Sequence, residues 1–130
     1  MVVDSSALVA ILLAEPEAKV FAEILEAEDD VRMSAGNYLE TAIVIDSRND
    51  PILSREFETL LRRAEIEILP VTFEHAQLAR QAYRDFGKGQ HPAGLTFGDC
   101  FAYAAAKALD EPLLFKGLDF SQTDVRAALR

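Results

Sequence analysis

Four acidic residues stand in contexts that ordinary surface carboxylates seldom occupy. Asp4 follows the apolar pair Val2-Val3 and precedes Ser5-Ser6. It can cap a helix, for which Asp is among the best residues, or present a carboxylate at a strand end. Asp99 lies in Phe97-Gly-Asp-Cys-Phe-Ala-Tyr-Ala-Ala-Ala106, a segment apolar nearly all round and so expected to be buried. A buried acid needs a partner or must neutralise. That partner is either the helix start, through the capping-box pattern Thr96-x-x-Asp99, or a cation. Glu40 precedes Ile43 and Val44 by three and four residues and is expected to border a buried stripe. It is either a snorkelling or salt-bridged side chain or part of a site. Asp119, in Phe115-Lys-Gly-Leu-Asp-Phe120, is a turn residue or a fourth acid at the same edge.

Taken together, Asp4, Asp99 and Asp119 are expected on one rim, with Glu40 reaching it from an adjoining helix. Like charges share a site only if protons or cations compensate them. An all-oxygen, carboxylate-rich set suits Mg²⁺ or Mn²⁺, hard ions that retain waters and bind phosphates. A metal-activated water attacking a phosphodiester is the chemistry that follows, and it points to a hydrolase or nuclease. Glu40 would orient or deprotonate the water.

The elements that must hold these residues alternate between strand and helix. Val2-Val3 is a short strand, and a helix follows from about Ala7 to Ala14. Pro16 suits a first helical residue, ahead of an apolar stripe of Val20, Phe21, Ile24 and Leu25. Val31 to Ser34 is a second strand and Gly36 to Ser47 a helix. Asn49-Asp50-Pro51 then restarts a helix lined by Leu53, Phe57, Leu60, Leu61 and Ala64. Both stripes are expected chiefly in the core. Ile66 to Val71 is a third strand, and Thr72 caps a helix with Ala76, Ala79, Ala82, Tyr83 and Phe86 on its apolar side. The loop Gly87 to Gly94 precedes a helix from Thr96 to about Leu109, and Pro112 to Phe115 is a fourth strand. Such alternation predicts an α/β fold with a mainly parallel sheet covered on both faces, and ligands bind outside the carboxyl ends of its strands.

Composition bounds the function. The chain has 130 residues, enough for one domain over 1–130. Thirteen Lys and Arg against 22 Asp and Glu leave a formal charge of −9, which argues against gripping nucleic acid by bulk electrostatics. Seven of the acids crowd Glu15 to Asp30, mostly on a helix expected away from the rim. The charge balance still allows nucleic acid as a substrate held in a local site. Cys100 is alone, so no internal disulfide forms, and two histidines cannot build a zinc site unaided. No apolar run approaches the roughly 18 residues needed to cross a bilayer, and Met-Val-Val-Asp is no signal peptide. A cytoplasmic protein with no membrane contact is expected.

Four segments in register carry a resemblance: Met1-Val-Val-Asp-Ser-Ser-Ala-Leu-Val-Ala-Ile11, Tyr38-Leu-Glu-Thr41, Thr96-Phe-Gly-Asp-Cys-Phe-Ala-Tyr103 and Leu114-Phe-Lys-Gly-Leu-Asp-Phe-Ser-Gln-Thr-Asp124. Along its whole length the chain resembles the PIN-domain ribonuclease toxins of the VapC type. The resemblance implies a PIN-like three-layer α/β/α sandwich with a central, mainly parallel sheet of four to five strands. It also implies a Mg²⁺- or Mn²⁺-dependent endoribonuclease whose acidic quartet is Asp4, Glu40, Asp99 and Asp119, with supporting hydroxyls at Ser6 and Thr123. Homodimers, a VapB-type antitoxin with a basic side chain for the acidic pocket, and structured RNA such as tRNA come with it. Many relatives carry Asn or Asp where this chain has Leu118, and Asp124 could restore part of that polarity or cap the last short helix. Arg84, Lys88 and His91, with Lys116 beside the site, are candidate contacts to RNA phosphates.

Other functions fit less well. A phosphatase of the haloacid-dehalogenase type needs Asp-x-Asp, and Ser6 stands where the second Asp would be. A receiver module needs an acceptor Asp after the third strand, and Ile68-Leu-Pro-Val-Thr72 has none. A non-catalytic or stand-alone RNA-processing relative remains as the alternative.

Overall fold

The computed structural model describes residues 1–129. Its centre is a parallel sheet of four short strands: β1 (Val2–Val3), β2 (Arg32–Ser34), β3 (Glu67–Leu69) and β4 (Leu113–Leu114). They lie in the order β3-β2-β1-β4, with Val2 opposite Arg32 and Leu113, and Arg32 opposite Glu67. Val2, Val3, Leu113 and Leu114 are fully buried, as strands covered on both faces must be. The C-terminal segment runs beside β4, where Leu113 donates to the Arg126 carbonyl and receives from Ala128 N–H. That segment makes a bridge-length fifth strand, also parallel.

Helices α1 (Ser5–Leu12), α2 (Ala18–Ala27), α3 (Ala35–Asp46), α4 (Pro51–Arg63), α5 (Phe73–Phe86) and α6 (Phe97–Leu109) cover the sheet. One core cluster joins Val3, Leu8, Phe21, Leu25, Met33 and Phe57. The other joins Val2, Ala82, Leu95, Tyr103, Leu113 and Phe120. Two cores on opposite sides of one sheet make the three-layer sandwich. No helix among the described residues is long and apolar enough to cross a membrane.

Local chemistry places the helix starts. Asp4, Ser34, Asp50, Thr72 and Thr96 each accept backbone N–H bonds of the first turn, and Pro51 is the first residue of α4. β3 stops at Leu69, short of the expected Val71, because Pro70 has no N–H for the ladder. α2 begins at Ala18, so Pro16 lies in the preceding turn rather than at a helix start.

Three apolar expectations are corrected. Val20 is exposed because α2 packs through Phe21 and Leu25, one turn apart. On α3, Ile43 is 59% and Val44 38% exposed, whereas Asn37, Thr41 and Ile45 form the buried face. Glu40 therefore lies between this exposed apolar strip and the buried polar face of Asn37 and Thr41. On α5 only Ala82 is buried, and Tyr83 is exposed because this helix packs on α6 along one flank.

Candidate active site

The carboxyl ends of β1, β2 and β4 converge on the start of α6. Asp4 leaves β1 and is 3% exposed. Its Oδ2 accepts from both the Ser6 backbone N–H (3.0 Å) and the Ser6 hydroxyl (2.6 Å). Its buried Oδ1 has no hydrogen-bond partner. Burial pushes this carboxyl up to about 7, against the two Ser6 bonds, with the Asp99 and Glu40 charges adding to the rise. Ser6 also receives Lys116 N–H at 3.0 Å, so one hydroxyl ties the β1 acid to the loop after β4.

Asp99 is held by the capping box: its Oδ2 accepts Thr96 N–H at 3.0 Å and the Thr96 hydroxyl accepts Asp99 N–H at 3.4 Å. Desolvation raises its carboxyl above the ordinary value, the Thr96 bonds oppose this, and the charges of Asp119 and Glu40 add to it. Capping and site membership are compatible in both acids, because one oxygen caps and the other is left over.

Glu40 is delivered from α3 by two residues that sequence reasoning passed over. Asn37, fully buried, donates to the Gly98 carbonyl (2.9 Å) and to Glu40 Oε1 (3.3 Å). A Cβ on Gly98 would fall 1.8 Å from Glu40 Oε2, so the Glu40 carboxylate occupies the space that glycine leaves. Asn37 Oδ1 is itself buried without a partner, and the Ser5 hydroxyl anchors the turn by donating to the Asn37 carbonyl at 3.1 Å. The available signal was a polar residue one turn before Glu40 and a glycine beside Asp99.

Asp119 is exposed on the loop after β4, yet its charge reaches Asp99. Asp124 does not supply polarity at the rim, nor does it cap the last short helix (Phe120–Gln122). It accepts the Tyr103 hydroxyl at 2.6 Å and Lys107 Nζ at 3.0 Å. The Thr123 hydroxyl donates to the Phe120 carbonyl (2.7 Å) and accepts Val125 N–H (3.2 Å), so its bonds stay within the loop. Lys116 Nζ is engaged by Glu15 (2.8 Å) and Glu17 (3.4 Å), which are thereby less remote than expected. His91 is spent inside its loop, its Nδ1 accepting Ala93 N–H and its ring packed edge-on against Phe86. Arg84 and Lys88 are exposed.

The donors are all oxygen, one buried carboxylate oxygen is unpartnered, and the neighbouring charges add to the raised proton affinity of Asp4 and Asp99. That set fits a hard divalent cation. Among the described residues, no three His, Cys, Asp or Glu side chains form a closed ligand group. Mg²⁺ does not need one, since it retains waters and is commonly bound by one or two carboxylates.

Residues 1–126 match the PIN domain family. The chain is 52% identical over 130 residues to Ribonuclease VapC28 of Mycobacterium tuberculosis, covering 99% of this chain and 98% of that one. It is 53% identical over 128 residues to Ribonuclease VapC of Mycolicibacterium smegmatis, covering 98% of both. Among solved structures, Mycobacterium tuberculosis VapC20, a Sarcin-Ricin loop cleaving toxin, superimposes with a TM-score of 0.74 at 17% identity over 95% of each chain. A toxin-antitoxin complex from Klebsiella pneumoniae does so with 0.68 at 16%, covering 95% of this chain and 92% of that one. The sheet order, the helical layers and these matches agree: the chain belongs to the PIN-domain family, in its VapC group.

Proposed function

We propose that the chain is a Mg²⁺- or Mn²⁺-dependent endoribonuclease, the toxin of a type II toxin–antitoxin pair. The observation that carries this reading is Asp4: a buried carboxylate with an unpartnered oxygen, within the field of Asp99 and Glu40. Relatives about half identical over nearly the full chain are named ribonucleases, which supports RNA as the substrate.

In this reading Asp4 and Asp99 are the main metal ligands and Asp119 completes the shell from its loop. A bound divalent ion supplies positive charge and Lewis acidity at a scissile phosphodiester. Glu40, fixed by Asn37 and seated against Gly98, accepts the proton of the attacking water. Ser6 orients Asp4 through its hydroxyl. Arg84 and Lys88 offer cations to flanking phosphates, and Lys116 can join them by releasing Glu15 and Glu17.

An antitoxin partner accords with the −9 charge, since a basic segment would be drawn to this chain and a basic side chain could neutralise the rim. A homodimer accords with the apolar face of α3 and α6. Phe97, 82% exposed, and Phe101 form an edge-to-face ridge between two apolar grooves, one lined by Leu39, Ile43 and Val44. A ridge and a groove on one face are what a twofold, self-complementary contact requires. A monomeric mass in light scattering at micromolar concentration would refute it.

The activity is tested on a mixture of structured RNAs, tRNA included. Cleavage should require Mg²⁺ or Mn²⁺, stop in EDTA and disappear in Asp99→Asn with the circular dichroism spectrum unchanged. Cleavage indifferent to EDTA and to Asp99→Asn overturns the proposal. RNA binding without cleavage by the native chain returns the non-catalytic alternative.

A further inference from the structure

Asp119 is the most exposed of the four rim acids and sits on a loop rather than a capped helix, yet a metal site needs each ligand held within a fraction of an ångström. Its strap, residues 115–126, is fastened at its beginning, middle and end. Lys116 N–H bonds Ser6, and Phe120 is 2% exposed with its ring centroid 5.2 Å from that of Phe115. At the far end the Asp124 carboxylate takes the Tyr103 hydroxyl on one oxygen and Lys107 Nζ on the other. Thr123 stiffens the stretch between Phe120 and Asp124 by bonding both Phe120 and Val125.

The α6 side of the end fastening follows a helical stripe. Asp99, Tyr103 and Lys107 are spaced four apart and so share a face of α6. Tyr103 is 7% exposed, and Lys107 Nζ lies 6.0 Å from its ring centroid. A phenylalanine would fill the same interior; the tyrosine adds only a hydroxyl, and that hydroxyl goes to the strap. Desolvation pushes the Asp124 carboxyl up, but the bonds from Tyr103 and Lys107 overcome it and hold the carboxyl below its ordinary value, as a charge-assisted fastening should.

We propose that the Tyr103–Asp124–Lys107 contact is a latch that positions Asp119 against Asp99. Helix α6 thus carries one acid of the site and, one turn on, the group that holds the strap bearing another. The latch rests on the nuclease reading above. Tyr103 and Asp124 are positioning residues, touching neither metal nor RNA.

The test is a double-mutant cycle read by Mn²⁺ titration in electron paramagnetic resonance, together with hydrogen exchange of residues 116–123. Tyr103→Phe should weaken Mn²⁺ about tenfold, the effect of losing a group that orients a ligand, and should speed exchange of the strap. In an Asp119→Asn background the same change should cost less than about twofold, because the residue it positions is gone. Asp124→Asn, which keeps a neutral acceptor for Tyr103, should fall between native and Tyr103→Phe. Equal losses in both backgrounds, or none in either, overturn the latch, as does unchanged strap exchange. A native protein that binds no Mn²⁺ overturns the nuclease reading and the role given to the latch. The exchange result then still decides whether the contact holds the strap.

Discussion

Two groups of carboxylates in this chain have the same chemistry and opposite circumstances. Between Glu15 and Asp30 the acids are numerous, and Glu23, Glu26, Glu28, Asp29 and Asp30 are all exposed. At the rim they are few, but Asp4 is buried with a spare oxygen, and Asp99 is partly buried beside it. The first group accounts for much of the −9 charge and little of the chemistry. The second adds little to the charge count and lies where a cation would be most strongly bound. Between them stands Lys116, its backbone on Ser6 and its ammonium on Glu15 and Glu17. Reactivity in a carboxylate is thus a matter of desolvation and unspent valence rather than of number.

The sharpest way to break that contrast changes no charge at all. Gly98→Ala should push Glu40 out of its seat, since the added Cβ would lie 1.8 Å from Oε2 and 2.4 Å from Cδ. The side chain is flexible, so the helix interface can persist while the carboxylate moves. Misplacement of a reacting group by about 1 Å costs roughly 10²-fold in rate, and a loss of that order in kcat is expected, with the thermal midpoint changed little. Full activity in Gly98→Ala would show that Glu40 is not needed where it stands.

Much of this arrangement was legible beforehand, for stated reasons. Helix caps depend on short-range geometry, so Asp4, Thr72, Thr96 and the Asp50-Pro51 restart could be read from neighbours alone. The choice between cap and site at Asp4 and Asp99 looked exclusive only because a carboxylate was counted as one acceptor instead of two. What stayed hidden depends on which helices approach each other. Helical periodicity gives α3 two plausible inner faces, and the buried one is the polar set Asn37 and Thr41 with Ile45, not Ile43 and Val44. Asn37 faces inward because α6 presents the Gly98 carbonyl to it, a long-range pairing with no local trace. Asp124, a candidate to restore the polarity that Leu118 lacks, has its partners on α6 instead, another pairing that local sequence does not carry.

A smaller effect, in stability, separates the two groups by pH. The Asp4 carboxyl moves from 3.8 to about 7 on folding, so the folded state holds this proton more tightly than the unfolded chain. Its contribution to stability is present below the unfolded value and is lost as pH rises through about 7. At about 1.4 kcal/mol per pKa unit the contribution is on the order of 4 kcal/mol at most. Urea midpoints of the metal-free protein should fall more steeply between about pH 4 and pH 7 in the native chain than in Asp4→Asn. Mn²⁺ should restore stability more at the alkaline end, where the competing proton has left. Parallel pH profiles for native and Asp4→Asn would break the contrast from the rim side.

The smallest effect belongs to the other group. Neutralising Glu23, Glu26 and Glu28 together, as Glu→Gln, removes three charges from exposed positions on and just beyond α2. At physiological ionic strength, charges separated by more than about 8 Å are largely screened. These residues can therefore touch catalysis only through the long-range repulsion of RNA. The expected result is unchanged kcat, with KM for RNA lowered about twofold or less in low salt and indistinguishable from native at physiological salt. Such a shift would be an effect on encounter, since no group near a scissile phosphate has changed. A drop in kcat would mean that α2 lies within reach of the reacting atoms and that the two groups of acids form one site, whereas a salt-dependent KM alone keeps them apart.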